Sequence, residues 1–525
     1  MSRASSERAR SYDNQGALMP PRRTESVPVR LLHAVTFALA CLLIAGSVGA
    51  AQPSAPNDAE PSWGTFLATD SRDRQTSNEA LATIARQWRD DYAGLIIDVA
   101  RFHVPARPSM PDERVESIDP ESAIGPEQRP SGFDTAPAGA TVGSDIRRRL
   151  TAFLQRQTGQ RFGDDLRAWR RWLWSRPVRP HSRYAEFKAE LYARIDPRFR
   201  AFFRPQVPTT IRLDEIDWGG VPVNGIPPLR APRVDTAGAA TWLRDGHIVF
   251  GVTINGEARA YPRRILAWHE MALDTLGGVP LTIVYCTLCG TVIPYESTIA
   301  GRKFTFGTSG LLYRSNKLMF DEETASLWSS MDGTPVVGPL VGKVPRLAIR
   351  PVVTTTWGEW RRDHPHTTVL SLQTGFTRDY SEGAAYRSYF STDRTMFETP
   401  VSDGRLRNKA EVVVLRPGAL DPGSPPVALS TDLLRRRALH TFTVEGHRLV
   451  ALTTAGGANR VFLSGAHTFS TGRDVRTLVD ERGQAWTVTD DALTSADGER
   501  LRLVPTHRAF WFGWVAQHPD TLLMQ

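Results

Sequence analysis

Cysteine is nearly absent: three in 525 residues. Cys41 lies in an apolar amino-terminal run, so Cys286 and Cys289 are each other's only thiol partners in the folded protein. Three cysteines exclude a disulfide framework of the kind that staples small secreted domains. The histidine that would make the pair a haem attachment motif is missing too, since Gly290 follows Cys289. No glycine-rich phosphate loop of the expected form occurs, and no charge of one sign dominates. The net charge of +8 and the pI near 9.6 come from arginines interspersed with acids, an arrangement that argues against a nucleic-acid groove. Apart from one amino-terminal stretch there is no long hydrophobic run.

That stretch, residues 31–48, follows an Arg-rich segment and ends in small residues at Gly49-Ala50-Ala51. It reads as a secretory signal cleaved near Ala50 or Ala51, with an uncleaved membrane anchor over 31–51 as the rival. Arg22-Arg23 hints at a twin-arginine signal, although Thr24-Glu25 matches it poorly. Each version places the mature chain outside the cytoplasm, secreted or periplasmic, where a close cysteine pair can be oxidised.

The rest of the chain divides by texture. Residues 52–142 form a Pro/Ser-rich linker that carries one helix over 78–102, with apolar Leu81, Ile84, Trp88, Leu95, Ile96 and Val99 near helical spacing. Residues 143–210 form a small helical domain whose three helices meet through Leu150, Phe153, Trp169, Leu173, Phe187 and Leu191. The stretch 157–172 resembles one unit of a HEAT-type repeat. From residue 211 to 525 short β-branched runs alternate with Gly, Pro, Asn and Asp, the pattern of a β-rich body, and Asn255-Gly256 marks a hairpin. The expected class is therefore mostly β with a small helical amino-terminal domain, α+β overall.

The β-rich body is duplicated. Trp357-Gly-Glu-Trp360 followed by His364-Pro365 recurs as Trp511-Phe-Gly-Trp514 followed by His518-Pro519, and the run from Asp321 to Trp328 recurs one residue shorter from Asp480 to Trp486. Two halves, about 247–370 and 411–525, are the simplest account. They are not equal, because Tyr285-Cys-Thr-Leu-Cys-Gly290 has a counterpart at residues 452–457 without cysteine. Chemistry therefore belongs in the first half.

Three chemistries compete there. Cys286, Cys289 and His269 offer two sulfurs and an imidazole to a soft metal, copper or zinc, with Met331 or Glu270 as a fourth ligand. Thiol–disulfide exchange is the second, but Pro294 so soon after the pair excludes the helix that lowers thiol pKa in thioredoxin-like sites. Hydrolysis at Ser309, with His364, His518 and Asp321 as partners, lacks one glycine of the nucleophile elbow. Against all three stands a non-enzymatic envelope binding module with a structural Cys286–Cys289 disulfide. Such a bridge closes so short a loop that it removes only about 2 kcal/mol of chain entropy. A small molecule, a metal or another envelope protein are the partners in view.

Five ordered motifs carry a resemblance: residues 261–270 ending in Trp268-His269-Glu270, the cysteine motif 285–290, Phe306-Gly-Thr-Ser-Gly-Leu-Leu-Tyr313, the run from Phe320 to Trp328, and Gly338-Pro-Leu340. Over about residues 211–525 the chain resembles a bacterial envelope family known as domain of unknown function thirty-one seventy-nine. The resemblance implies an extracytoplasmic location and no established activity. The chain departs from the family at Thr287, where proline is usual.

Overall fold

The short amino-terminal helices owe their existence to caps and to what they bury. Ser62 accepts from Thr65 N at the start of the helix Trp63–Ala68, and Asp73 accepts from Gln75 N and Thr76 N at the start of Arg74–Arg86. A helix of six residues is unstable alone. This one is held by Phe66, which is fully buried against Tyr92 and Phe187. The computed structural model describes residues 60–103, 137–472 and 476–525. The signal or anchor segment with Cys41, residues 52–59 and most of the 104–142 linker lie outside the described residues.

Two expectations change in this region. The stretch read as linker before residue 76 contains a docked helix, and the expected helix over 78–102 is two helices, Arg74–Arg86 and Tyr92–Arg101. The break at 87–91 turns Trp88 edge-on to both Phe153 and Tyr92, which buries both stripes on one core instead of extending one helix past it. The helices Pro137–Thr158, Leu166–Ser175 and Tyr184–Tyr192 complete that core, with Leu150, Phe153, Trp169, Leu173, Phe187 and Leu191 all buried in it.

A buried charged network joins the helices to the strands. Lys188 Nζ donates to Asp98 Oδ2 at 2.8 Å and to Ile216 O at 2.9 Å, while Arg101 and Arg170 both pair with Asp217. Buried ions this well satisfied specify one docking geometry, because any other would leave a charge unpaired. The strand so held, Ile216–Trp218, pairs antiparallel with Phe306–Tyr313.

The two halves share one topology. In the first, Ile248–Ile254 and Glu257–Pro262 form a hairpin through Asn255 and Gly256, both at positive φ (49° and 83°) as a primed turn requires. Val353–Thr356 adds antiparallel to one strand of it and Thr368–Leu370 parallel to the other. In the second, Glu411–Leu415 pairs with Val427–Ser430, His507–Phe510 adds antiparallel and Leu522–Met524 parallel. Each half places its tryptophan helix, Trp357–Asp363 or Trp511–Gln517, between its two outer strands. Trp357, Trp360, Trp511 and Trp514 are all buried. Trp328 Nε1 donates to Asp321 Oδ2 at 2.9 Å, and Trp486 Nε1 to Asp480 Oδ2 at 3.1 Å.

The halves also exchange contacts. His364, packed tilted against Trp360 of the first half, meets Asp490 of the second at 3.1 Å. His518, packed tilted against Trp514, meets Asp332 of the first at 3.3 Å. The protein is thus an α+β structure whose β-rich body is two interlocked copies of one motif.

Candidate functional site

The strand Val279–Cys286 is buried along most of its length and runs directly into the 3₁₀ turn Thr287–Cys289. Gly290 ends that turn at φ 62°, where a Cβ would lie 3.0 Å from the Phe510 ring. A strand, Thr291–Glu296, follows, so no helix begins at the cysteines. Cys286 and Cys289 are 2% and 0% exposed and are free thiols. The structural disulfide of the sequence reading is therefore not formed in this state.

The two sulfurs differ. Burial pushes the Cys286 thiol up, but a hydrogen bond from Cys289, another from the backbone N–H of Lys317, and the Lys317 charge outweigh it and hold Cys286 below the ordinary thiol range. Burial and the neighbouring Cys286 push Cys289 well above that range. Cys289 also lies 3.2 Å from Ser315 O as a donor. Of the two, Cys286 is the thiol that gives up its proton more readily, and Cys289 holds its own.

Below them sits a buried ion pair. Lys317 Nζ is 3.1 Å from Glu270 Oε2 and donates to Glu270 O (2.8 Å) and Tyr285 O (3.3 Å). Tyr386 donates to Glu270 Oε1 at 3.2 Å. Glu270, Lys317 and Tyr386 form the polar wall of a cavity of about 70 Å³ whose remaining lining is mostly apolar. Leu288, Leu312, Tyr386, Met396 and Phe397 line that cavity and also pack against the cysteines.

The motif Phe306-Gly-Thr-Ser-Gly-Leu-Leu-Tyr313 shapes this space. Its pairing with Asn316–Asp321 breaks register between Thr308 and Leu312, a bulge in which Gly310 takes φ 77° and passes so close to residue 221 that a Cβ would lie 2.4 Å from Val221 O. Ser309 Oγ donates to Leu318 O (2.6 Å) and accepts from Leu311 N (3.0 Å), so it holds the bulge together. The turn at Arg314 and Ser315, both at positive φ, then brings Ser315 O to Cys289 and Lys317 to Cys286.

The sequence-derived candidates divide accordingly. Glu270 acts on Cys286 through its charge, which raises that thiol, and bonds to Lys317 and Tyr386; His269 is engaged elsewhere. Glu270 caps its helix at φ 55°, and this left-handed turn sends the two side chains in different directions. His269 Nδ1 donates to Pro227 O at 2.9 Å, Nε2 accepts from Tyr380 at 2.5 Å, and burial pushes its pKa down to about 4. Both ring nitrogens are thus engaged away from the sulfurs. Met331 packs in a separate core with Trp328 and Tyr295. Among the described residues no group of three or more His, Cys, Asp or Glu side chains could hold a metal ion, so the expected copper or zinc ligand set is not assembled. Ser309, His364, His518 and Asp321 are each occupied by the structural contacts already described and do not converge.

Sequence reasoning missed Lys317, Tyr386 and Tyr389. Lys317 stands at the polar end of its strand, after Arg314, Ser315 and Asn316, so nothing in the local pattern set it apart. The tyrosines come from the segment joining the halves, which carries no motif. Tyr389 donates to Leu288 O at 2.7 Å and so covers the cysteine turn. Glu398, next to Met396 and Phe397, is held by Arg167 (3.2 Å) and Arg171 (3.1 Å) of the helical block.

The duplication sharpens the assignment. Gly513 of the second tryptophan helix packs so closely on the thiol turn that a Cβ there would lie 2.9 Å from Cys289 Sγ. At the opposite pole the roles are exchanged: the corresponding helix carries Glu359, and the loop facing it carries Gly456, whose N–H donates to Glu359 Oε2 at 2.7 Å. One pole holds a thiol pair and the other a carboxylate in hydrogen bonds from Thr355, Thr454 and Gly456.

Residues 223–521 match the family described as "Protein of unknown function (DUF3179)". No curated protein and no solved structure matches.

Proposed function

Because the chain belongs to the DUF3179 family, whose description names no activity, function has to be read from the site, and we propose that Cys286 and Cys289 form a redox-active dithiol, in a protein that works outside the cytoplasm. The observation that carries this is the division of labour between two free, hydrogen-bonded thiols, one lowered and one raised in pKa, against a buried lysine. Cys286 attacks an oxidised partner as the thiolate; Cys289 then closes the disulfide on it and releases the reduced partner. Gly513 leaves room for the sulfur of Cys289, and the second half, with no cysteine in its corresponding loop, has no such function.

Equilibration for hours in dithiothreitol redox buffers, with thiols counted by alkylation and intact mass, tests it. The wild type should lose both thiols together at one midpoint, and Cys286→Ser and Cys289→Ser should abolish the transition. Two thiols that stay reduced at every potential would leave the binding module as the account.

The same pair supports one metal reading. Two soft sulfurs without a third ligand suit Cu(I) and not four-coordinate zinc. One copper per chain with both thiols protected, measured on protein purified without chelator, would replace the dithiol cycle.

A further inference from the structure

The dithiol reading requires a partner to reach two sulfurs that are 2% and 0% exposed. The segment between the halves shields them. Tyr389 donates to Leu288 O at 2.7 Å across the cysteine turn, Tyr386 donates to Glu270 Oε1 at 3.2 Å, and Met396 and Phe397 pack on the same cluster as both cysteines. This cover is built unlike what it covers. Val279–Cys286 and Phe306–Tyr313 are each paired with a strand on both sides and are buried along most of their length. Among the described residues 373–410 the one regular element is the four-residue helix Arg387–Phe390, and only Ala385 and Tyr389 are buried. The fastenings of the segment are exposed. Asp393 accepts from Asn408 N (3.1 Å) and Lys409 N (2.9 Å), Lys409 Nζ donates to Thr392 O (2.7 Å), and Glu398 is held by Arg167 and Arg171, both about half exposed. Solvent screens such pairs, and a stretch with few buried contacts opens locally at far lower cost than the whole chain unfolds.

We propose that residues 384–398 form a strap that lifts while the rest of the chain stays folded, and that its opening admits a disulfide carried by another polypeptide to Cys286. The purpose of the strap rests on the dithiol reading; its motion rests on the contacts above. Lifting it removes Tyr386, Tyr389, Met396 and Phe397 together and bares Leu288, Leu312 and Phe512 beside the sulfurs. A polypeptide brings apolar side chains to meet that face, and a free small disulfide has none. On the open face Cys286 sulfur attacks one sulfur of the partner: the interchain S–S bond forms, the partner's own S–S bond breaks, and its departing sulfur takes up the proton that Cys286 surrendered. Cys289 sulfur then attacks Cys286 sulfur; the S–S bond of the pair forms, the bond to the partner breaks, and the second departing sulfur takes the Cys289 proton. The pair is oxidised by two electrons and the partner reduced by two.

Thiol alkylation of the folded wild-type chain, each rate divided by that of the urea-unfolded chain, measures the opening. Iodoacetamide and a polyethylene glycol maleimide should be slowed by similar factors, because both wait for one event, and both should react at least about a hundredfold faster than global unfolding allows. Asp393→Ala and Glu398→Gln, which loosen the fastenings and touch neither cysteine, should speed both reagents about tenfold and about threefold. Asp490→Asn, which loosens the contact between the halves and leaves the strap alone, should change neither rate. A disulfide-linked peptide with leucines beside its cysteines should oxidise the pair at least about tenfold faster than the same peptide with serines there. Access that follows global unfolding, that ignores Asp393→Ala and Glu398→Gln, or that admits iodoacetamide and not the maleimide overturns the strap; equal rates for the two peptides overturn the partner. If the dithiothreitol midpoint appears and access still follows global unfolding, the strap falls and the dithiol reading stands. If opening is seen without the midpoint, the dithiol reading falls and takes the partner with it.

Discussion

At the scale of single residues, the site is decided by which polar atoms are left with something to do. His269 is spent: buried, neutral and bonded at both nitrogens, its pKa drops from 6.5 to about 4 because the interior disfavours the imidazolium. The folded state therefore resists a proton that the unfolded chain accepts. Stability from this group is present above the unfolded pKa and is lost as pH falls from about 6.5 toward 4, on the order of 3 kcal/mol in all. Urea unfolding across that range should show the decline in the wild type and a flatter curve in His269→Gln. An unchanged slope would mean that His269 is hydrated in the native state. Cys286 differs because its neighbours are donors, and a sulfur that accepts bonds is one that can react.

At the scale of elements, one glycine-dependent turn, one helix with a glycine at its contact and one bulge make the site. A cysteine turn with a side chain at residue 290, or a helix with one at 513, would meet Phe510 or Cys289 inside contact distance. Gly513→Ala should cost about 1–3 kcal/mol by overpacking. It should also raise the Cys286 pKa, read from thiolate absorbance, because displacing Cys289 lengthens the bond that lowers it. Loss of stability without a change in thiolate titration would show that the helix yields instead of the sulfur. The motif around Ser309 belongs at this scale too, since its serine and glycine hold a bulge and are not a nucleophile elbow.

At the scale of the whole molecule, each half completes the other. Burial opposes ionisation of Asp332 and Asp490, but the close imidazoles of His518 and His364, with Arg416 and Arg460 nearby, hold both carboxylates far below the usual range. Their contribution is present above the unfolded pKa of about 3.9 and disappears as pH falls through the folded values. Asp490→Asn and Asp332→Asn should each cost about 3–5 kcal/mol, as expected for breaking a buried pair, and should weaken the acid sensitivity of the fold. Because the two pairs share no residue, the double variant should be additive in a thermodynamic cycle. Strong coupling would mean that the halves unlock as one.

The sequence by itself determined the α+β class, the repeat and the cysteine pair as the place of interest, because these depend on local pattern: alternation along strands, identical spacing of Trp and His, and a motif present in one copy only. It also pointed to Glu270, but not to Lys317. Tertiary structure decided what the pair is made into. A left-handed residue at Glu270 turned the neighbouring His269 away, a bulge at Gly310 opened the cavity, and tyrosines from an unpatterned segment closed over it. None of these is periodic, and each depends on atoms brought together from strands that are distant in the chain. The metal site drawn from residue types required His269 to face the sulfurs, and backbone direction over one residue, which composition does not encode, settled that it faces Tyr380.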